Sequence, residues 1–198
     1  EAAMLENDIP LYALESGDPL SAFDAIGFSL GYEMAYPTVL NMLDLGGIPI
    51  RAEDRTELLP LVFAGGTSCC NPEPMSAFFD LMLLGEGEEL DCELLELLRT
   101  AKKSGWTKPQ FLKKAAEIPG VYVPSLYTVE NNADGTVAAV TACGGAPDKV
   151  TKRIVTDFEN SHFPANQIVP NTEIVHDRVN LELFRGCIRG CRFCQAGQ

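Results

Sequence analysis

The sequence lacks the patterns that would place it in or across a membrane. No stretch approaches the roughly 18 uninterrupted apolar residues of a spanning helix. The first residues, Glu1 to Asn7, lack the basic and then apolar order of a secretory signal peptide. We therefore expect a cytoplasmic protein with no membrane partner.

Basic residues are scarce in the first half of the chain. Residues 1–100 contain 19 Asp and Glu but only 3 Lys and Arg, whereas residues 101–198 contain 9 acidic and 12 basic residues. Phosphate binding needs basic side chains, which the first half does not have. The net charge of −13 therefore argues against nucleic-acid binding by that half.

At 198 residues the chain can hold one ordinary domain and part of another. Its 46% apolar content suffices for a core. Short apolar runs closed by turn residues predict strands, and apolar residues at helical spacing predict helices. The predicted strands are 9–14, 25–30, 61–64 and 80–84, and the predicted helices are 37–45, 88–103 and 107–117.

This alternation predicts the α/β class, with a Rossmann-like parallel sheet flanked by helices over residues 1–118. Residues 119–178 follow as a β-hairpin, with its Asp134-Gly135 turn, and an extended connector. An alternating strand at 179–184 then begins a further domain at residues 179–198.

Glycine turns follow two of the predicted strands. Gly65 and Gly66 come after one strand, and Gly85 and Gly87 come after the next. Open parallel sheets bind ligands at this edge, so these glycines are candidate binding residues, although they could equally serve only to turn the chain. The acidic residues beside Gly87 argue against a phosphate site, and the sequence has neither a Walker A loop nor a G-x-G-x-x-G motif.

Seven cysteines are present, an odd number that does not suggest a disulfide framework in the reducing cytosol. Four are dispersed. Adjacent Cys69 and Cys70 are interpreted as buried small hydrophobes, with a redox pair as the alternative. Cys92 is interpreted as a packing residue of its helix, and Cys143 follows the hairpin.

The other three cysteines, Cys187, Cys191 and Cys194, lie within eight residues. Glycines beside them allow the tight backbone curl that would bring three sulfurs to one centre. Three nearby arginines at 185, 189 and 192 favour the thiolate form that binds metal. A four-iron cluster normally takes four cysteines, so three would leave one iron open.

The alternative interpretation is a zinc site in a module that binds a ligand or a partner protein. Structural zinc takes four Cys or His ligands. The fourth could come from Cys143, His162 or His176; both histidines are otherwise interpreted as structural.

The C-terminal segment resembles the radical S-adenosylmethionine (radical SAM) superfamily. Its C-x3-C-x2-C motif, with an aromatic residue before the last cysteine, is matched by Cys187, Cys191, Phe193 and Cys194. The resemblance implies a [4Fe–4S] cluster on the three cysteines, SAM on the fourth iron and Phe193 near the adenine. It also implies a reducing electron donor and reductive cleavage of SAM to a 5′-deoxyadenosyl radical.

The upstream segments are similar to an uncharacterised bacterial radical SAM family with an N-terminal cobalamin-binding-like domain. The matching segments are 11–20, 64–66, 71–74, 85–88 and 118–124. The cobalamin motif D-x-H-x-x-G is absent, so cobalamin binding is unsupported by these residues.

We expect the chain to be an interior fragment that lacks the first strand of the accessory domain and most of the catalytic barrel. Alone it should then be inactive. The substrate, which could be a tRNA, a protein or a small molecule, would be selected by later parts of the barrel.

Overall fold

The computed structural model describes residues 2–162, 166, 170–175, 178 and 181–194. The chain divides into two compact units, Glu1–His162 and Phe163–Gln198. The first unit holds all the helices and strands of the described residues. The helices are α1 (Ala2–Glu6), α2 (Tyr36–Leu45), α3 (Gly87–Ser104) and α4 (Lys108–Ala115). The strands are β1 (Ala25–Ser29), β2 (Leu61–Gly65), β3 (Leu81–Leu83), β4 (Val121–Tyr122), β5 (Tyr127–Asn131) and β6 (Val137–Ala142).

The main sheet confirms the predicted α/β class. Its strand order is β1-β2-β3-β4, with β1, β2 and β3 parallel and β4 antiparallel to β3. Strand β4 reaches Tyr122, so the sheet extends past residue 118, where the sequence predicted the α/β domain to end.

The sheet is covered on both faces, and the two faces carry separate apolar clusters. Helices α3 and α4 pack on one face against Leu61, Leu81 and Leu83. Helix α2 and the segment between β2 and β3 pack on the other face against Val62 and Met82. Residues that alternate along one strand therefore serve opposite faces, as the period of a β-strand requires.

Helix α3 shows why the sequence forms a helix at this position. Its buried residues Leu90, Leu94, Leu98 and Ala101 recur at helical spacing and form one apolar stripe. Acidic residues in its first turn and lysines in its last turn match the helix dipole. Gly105, with φ of +66°, ends the helix in the left-handed conformation.

The predicted strand at residues 9–14 is wrong. Tyr12 makes an isolated antiparallel bridge with Pro19, across the turn at Gly17. Leu11 donates its N–H to the carbonyl of Leu45 at the end of α2, at 2.8 Å. Pro10 has no N–H that could hydrogen-bond to a neighbouring strand. This apolar run packs against the end of α2 and does not join the sheet.

The hairpin is confirmed. Strands β5 and β6 pair antiparallel, and the Asp134 carboxylate accepts hydrogen bonds from the N–H and hydroxyl of Thr136. Most of its residues are exposed. Leu126, just before it, is buried against the α3 face of the main sheet.

The C-terminal unit shows no strand among its described residues. The predicted strand at 179–184 is not formed over 181–184, and residues 179 and 180 lie outside the described residues. Leu181, Leu183 and Phe184 are 70 to 78% exposed. A strand needs a partner for its backbone groups, and none is present for these residues in the described part of the chain. No described helix combines the length and apolar character needed to cross a membrane.

A buried ionic cluster closes the amino end of the parallel sheet. The Asp80 carboxylate, just before β3, lies 3.1 Å from Arg55 Nη2 and 2.7 Å from Lys108 Nζ. It also accepts the Val62 N–H at 2.8 Å. All three charged side chains are at least nine-tenths buried. Removing one partner of such a cluster leaves buried charge uncompensated.

We predict that Asp80→Asn lowers the free energy of unfolding by about 3–5 kcal/mol, because two buried cations lose their shared anion. The matched control is Asp24→Asn, which breaks the exposed pair of Asp24 with Lys102 and should cost under about 1 kcal/mol. Urea denaturation followed by circular dichroism gives both values. Equal losses in the two variants would contradict the assigned role of Asp80.

Candidate functional site

A crevice lies at the carboxyl ends of the three parallel strands. It has a volume of about 290 Å³. We call it the carboxyl-end crevice. It brings together all four glycines singled out in the sequence. Its lining residues are Gly27, Phe28, Ser29, Phe63, Gly65, Gly66, Leu83, Gly85, Gly87 and Asp91.

The crevice lies where the chain leaves the sheet in opposite directions. The segment after β2 packs on the α2 face, as buried Cys69 and Met75 show. Helix α3, which follows β3, packs on the opposite face through Leu90 and Leu94. Ligands of open parallel sheets bind in a crevice outside the carboxyl ends of the strands, at the point where the strand order reverses. The order β1-β2-β3-β4 of the described sheet does not reverse, so only the location of the crevice at the carboxyl ends favours a ligand site there.

Backbone packing explains two of the glycines without any ligand. Gly66 has φ of +98°, and a Cβ there would lie 2.7 Å from the carbonyl oxygen of Leu30. Gly85 has φ of +106°, and a Cβ there would lie 2.1 Å from the carbonyl oxygen of Arg153. Both positions exclude a side chain, so their glycines are structural requirements.

Arg153 of the connector packs against Gly85, which lines the crevice. Arg153 donates its N–H to the carbonyl of Leu84 and accepts the N–H of Glu86, at 2.8 and 3.0 Å. Its guanidinium lies 2.8 Å from Glu89 and 2.6 Å from Glu93 on α3. The connector is thus held at the end of β3 and on the first turns of α3. The sequence offered one signal of this contact, a basic run at 149–153 opposite an acidic helix.

The electrostatics of the crevice disfavour anions. Among the lining residues that the structure describes, Asp91 is the one that is ionisable. Burial and then the neighbouring Glu88 raise the pKa of the Asp91 carboxyl above its ordinary value. Sequence reasoning missed Asp91, which one turn of α3 places beside Gly87. The crevice therefore suits a neutral or cationic group and not a phosphate.

The cysteine trio lies on an exposed segment full of turns. Cys187, Cys191 and Cys194 are all exposed and free of disulfides. Gly186 and Gly190 have φ of +81° and +62°, as expected of glycines that let the chain turn sharply. The Cys194 N–H donates to the Cys191 carbonyl at 3.0 Å, which closes the second turn.

The three thiols are separate in this structure. Across the described ranges, no group of three or more His, Cys, Asp or Glu side chains is arranged to hold a metal. Phe193 is 92% exposed, and Arg185 is paired with Glu182 at 2.9 Å. Of the possible fourth zinc ligands, Cys143 and His162 are exposed, and His176 lies outside the described residues.

The remaining cysteines are placed partly as predicted. Cys69 is buried in the α2-face cluster, as expected, and burial together with Cys70 raises the pKa of its thiol to about 12. Cys70 is exposed. The prediction for Cys92 is wrong, because this side chain lies on the exposed side of α3, away from its buried leucine stripe.

Comparison with known proteins gives one family and one distant relative. Residues 1–124 match the family described as "Radical SAM proteins, N-terminal". The chain is also 25% identical, over 191 residues, to an uncharacterized protein of Methanocaldococcus jannaschii. That alignment covers 96% of this chain and 34% of the relative, so the chain spans about a third of the relative's length. No solved structure matches the chain.

We predict that Gly85→Ala loosens the connector from β3. Its Cβ would collide with the Arg153 backbone, so exchange of the Arg153 and Glu86 amide hydrogens should accelerate. Gly105→Ala is the control, since Gly105 also has positive φ but has open space around it; it should cost about 1 kcal/mol of unfolding free energy. Unchanged exchange at Arg153 in Gly85→Ala would contradict the close packing.

We predict that iodoacetamide at pH 8 modifies Cys70 and spares Cys69 in the folded chain. A thiol with a pKa of about 12 is almost wholly protonated at pH 8, and the thiolate is the nucleophile. Tandem mass spectrometry distinguishes the two adjacent sites. Denatured protein, in which both cysteines should react, is the control. Equal modification of the two in the folded protein would show that Cys69 is accessible.

Proposed function

Because the family match covers more than half of its residues, the chain belongs to the radical SAM proteins, and we propose that it is part of an enzyme of that family. In this proposal Cys187, Cys191 and Cys194 hold a [4Fe–4S] cluster. The single observation that carries the proposal is this trio of exposed, free thiols, found downstream of a matched radical SAM N-terminal domain.

The donor set fits such a cluster. Iron–sulfur clusters are held by cysteine thiolates, and three local thiolates leave one iron of a cubic cluster without a protein ligand. Because the three cysteines are exposed, their thiols are accessible to incoming iron and sulfide. The turns at Gly186 and Gly190 permit the rearrangement that would bring the three sulfurs together.

Nearby charges support ligation. Arg189 and Arg192 lie within the motif itself, and positive charge lowers the free-energy cost of forming thiolates. When bound, the cluster and SAM together supply one-electron reductive cleavage of SAM, with an electron from a reducing donor. Exposed Phe193 is the residue we assign to the adenine of SAM.

The carboxyl-end crevice does not fit a cobalamin with a histidine as its lower ligand. None of its described lining residues is a histidine, and its volume of about 290 Å³ lies just below the range of about 300–1,000 Å³ for drug-sized ligands. We therefore assign no role to cobalamin. We propose instead that any ligand of this crevice is small and not anionic, because Asp91 is the one ionisable group among its described lining residues.

The chain spans about a third of the length of its curated relative. We propose that the rest of the full-length protein supplies the barrel that encloses the substrate. Radical chemistry needs a site that excludes water. The exposed thiols of this chain do not provide one, so we expect no turnover of SAM by these 198 residues alone.

Metal analysis of anaerobically reconstituted protein tests the proposal. We predict about four irons and four labile sulfides per chain, and loss of both in Cys187→Ala, Cys191→Ala and Cys194→Ala. Cys143→Ala is the matched control, because a cluster held by the trio does not need Cys143, whereas Cys143 is a candidate ligand of a four-coordinate zinc site.

The zinc alternative predicts a different result. One zinc per chain without labile sulfide, lost also in Cys143→Ala or His162→Ala, would contradict the cluster and establish the zinc site. Iron and sulfide that persist in all three trio variants would place the cluster on other residues.

A further inference from the structure

The ionic cluster before β3 contains more positive than negative charge. Arg55 and Lys108 share the single carboxylate of Asp80, and all three side chains are at least nine-tenths buried. Two cations and one carboxylate leave an excess of one positive charge in this cluster. Such an excess is costly, because buried charges are normally compensated by partners.

The Asp80 carboxylate cannot neutralise both cations. Its Oδ1 atom is the ion-pair partner of both Arg55 and Lys108. Its Oδ2 atom accepts the hydrogen bond from the Val62 N–H. The rest of the Arg55 guanidinium is hydrogen-bonded to backbone carbonyls, which carry no net charge, and its Nε has no partner in the described part of the chain. Lys108 Nζ donates a hydrogen bond to the Arg55 carbonyl and lies 2.7 Å from the Asp80 carboxylate as its ion-pair partner, and an ammonium carries three hydrogens that it can donate.

Lys108 and Asp80 form part of the wall of a cavity of about 300 Å³ at this amino end of the sheet. We call it the amino-end cavity. It lies before β3, whereas the carboxyl-end crevice lies after it. Its other lining residues are Arg51, Ala52, Glu53, Ser76, Ala77, Phe79, Leu112, Pro124 and Ser125.

The lining groups suit an anion. Arg51 adds a second cation and Ser125 adds a hydroxyl donor. The Ser76 hydroxyl, by contrast, already donates to the Glu73 carbonyl at 2.9 Å.

Two of the described lining residues are acidic. The Asp80 carboxylate is already paired with Arg55 and Lys108, which leaves Glu53 to oppose an anion. Glu53 is 75% exposed and lies 3.7 Å from Arg51, so solvent screens it, whereas buried Lys108 is screened far less.

We propose that the amino-end cavity binds a small oxyanion, that is, a free phosphate or carboxylate group. The bound anion compensates the excess charge of the Arg55, Asp80 and Lys108 cluster, with Lys108 as its buried contact and Arg51 as its exposed one. A cavity of about 300 Å³ sets the upper size at a small molecule. This inference does not depend on the cysteine trio or on radical chemistry.

Titration of the isotope-labelled full chain with inorganic phosphate, monitored by nuclear magnetic resonance, tests the proposal. A second titration with acetate separates phosphate from carboxylate recognition. Sodium chloride at the same ionic strength is the control for screening. We expect saturable shifts of the Ser76, Ala77 and Ser125 amides with at least one oxyanion and none with chloride.

Two exposed substitutions give opposite expectations. Arg51→Gln should raise the Kd by about three- to fivefold, the size expected for one exposed charge contact. Glu53→Gln should lower the Kd, because it removes the opposing carboxylate. The matched control is Arg99→Gln, which alters an exposed Arg–Glu pair that is not among the residues lining the cavity and should leave the Kd unchanged.

The contrast in sign separates a binding role from a structural one, since a general loss of stability would weaken binding in both variants. Absence of saturable shifts with either oxyanion, or shifts equal to those with chloride, would overturn the proposal. So would a Kd that is the same in Arg51→Gln, Glu53→Gln and Arg99→Gln.

Discussion

The main sheet depends on one buried carboxylate. The Asp80 carboxylate accepts a hydrogen bond from the Val62 N–H of β2. It also forms ion pairs with Lys108, at the start of α4, and with Arg55, in the loop before β2. Arg55 in turn binds the carbonyls of Pro49, Ile50 and Phe78. Elements from both faces of the sheet therefore meet at one oxygen pair, and their positions relative to β3 are determined together.

Strand β3 connects the ionic cluster at its amino end to the carboxyl-end crevice at its other end. Strand β3 has three residues, Leu81–Leu83, so the ionic cluster and the carboxyl-end crevice are close neighbours along one short strand. At the far end the Arg153 backbone covers Gly85, and its side chain is paired with Glu89 and Glu93. The connector is therefore built into the α/β unit before the chain continues toward the cysteines.

Local patterns in the sequence were sufficient for most of the fold. Leucines at helical spacing predicted α3, apolar runs predicted β1 to β3, and the Asp134-Gly135 turn predicted the hairpin. Strand β4 was assigned outside the α/β domain because Val121–Tyr122 is too short to carry a period of its own. The apolar run at 9–14 has the composition of a strand. Its conformation depends instead on contacts with the end of α2, such as the hydrogen bond from Leu11 to Leu45, which local sequence patterns do not predict.

Some candidate sites could be predicted from local spacing in the sequence, and others could not. The glycine turns and the cysteine trio are visible as spacing in the sequence, and the structure gathers the glycines at one crevice. In the ionic cluster, Arg55 is 25 positions from Asp80 and 53 positions from Lys108. No local sequence motif therefore predicts that these three residues meet. Cys92 was misplaced because a helix carries exposed and buried positions side by side, and one small residue does not show which face it occupies.

The central claim is that the cysteine trio holds the redox cluster of a radical SAM enzyme. Electron paramagnetic resonance of the anaerobically reconstituted and chemically reduced full-length protein, recorded before and after addition of SAM, tests it most directly. The account predicts the signal of a reduced [4Fe–4S] cluster whose shape changes when SAM is added, because SAM binds the iron that has no cysteine. A spectrum with no cluster signal, or one that SAM leaves unchanged, would contradict it.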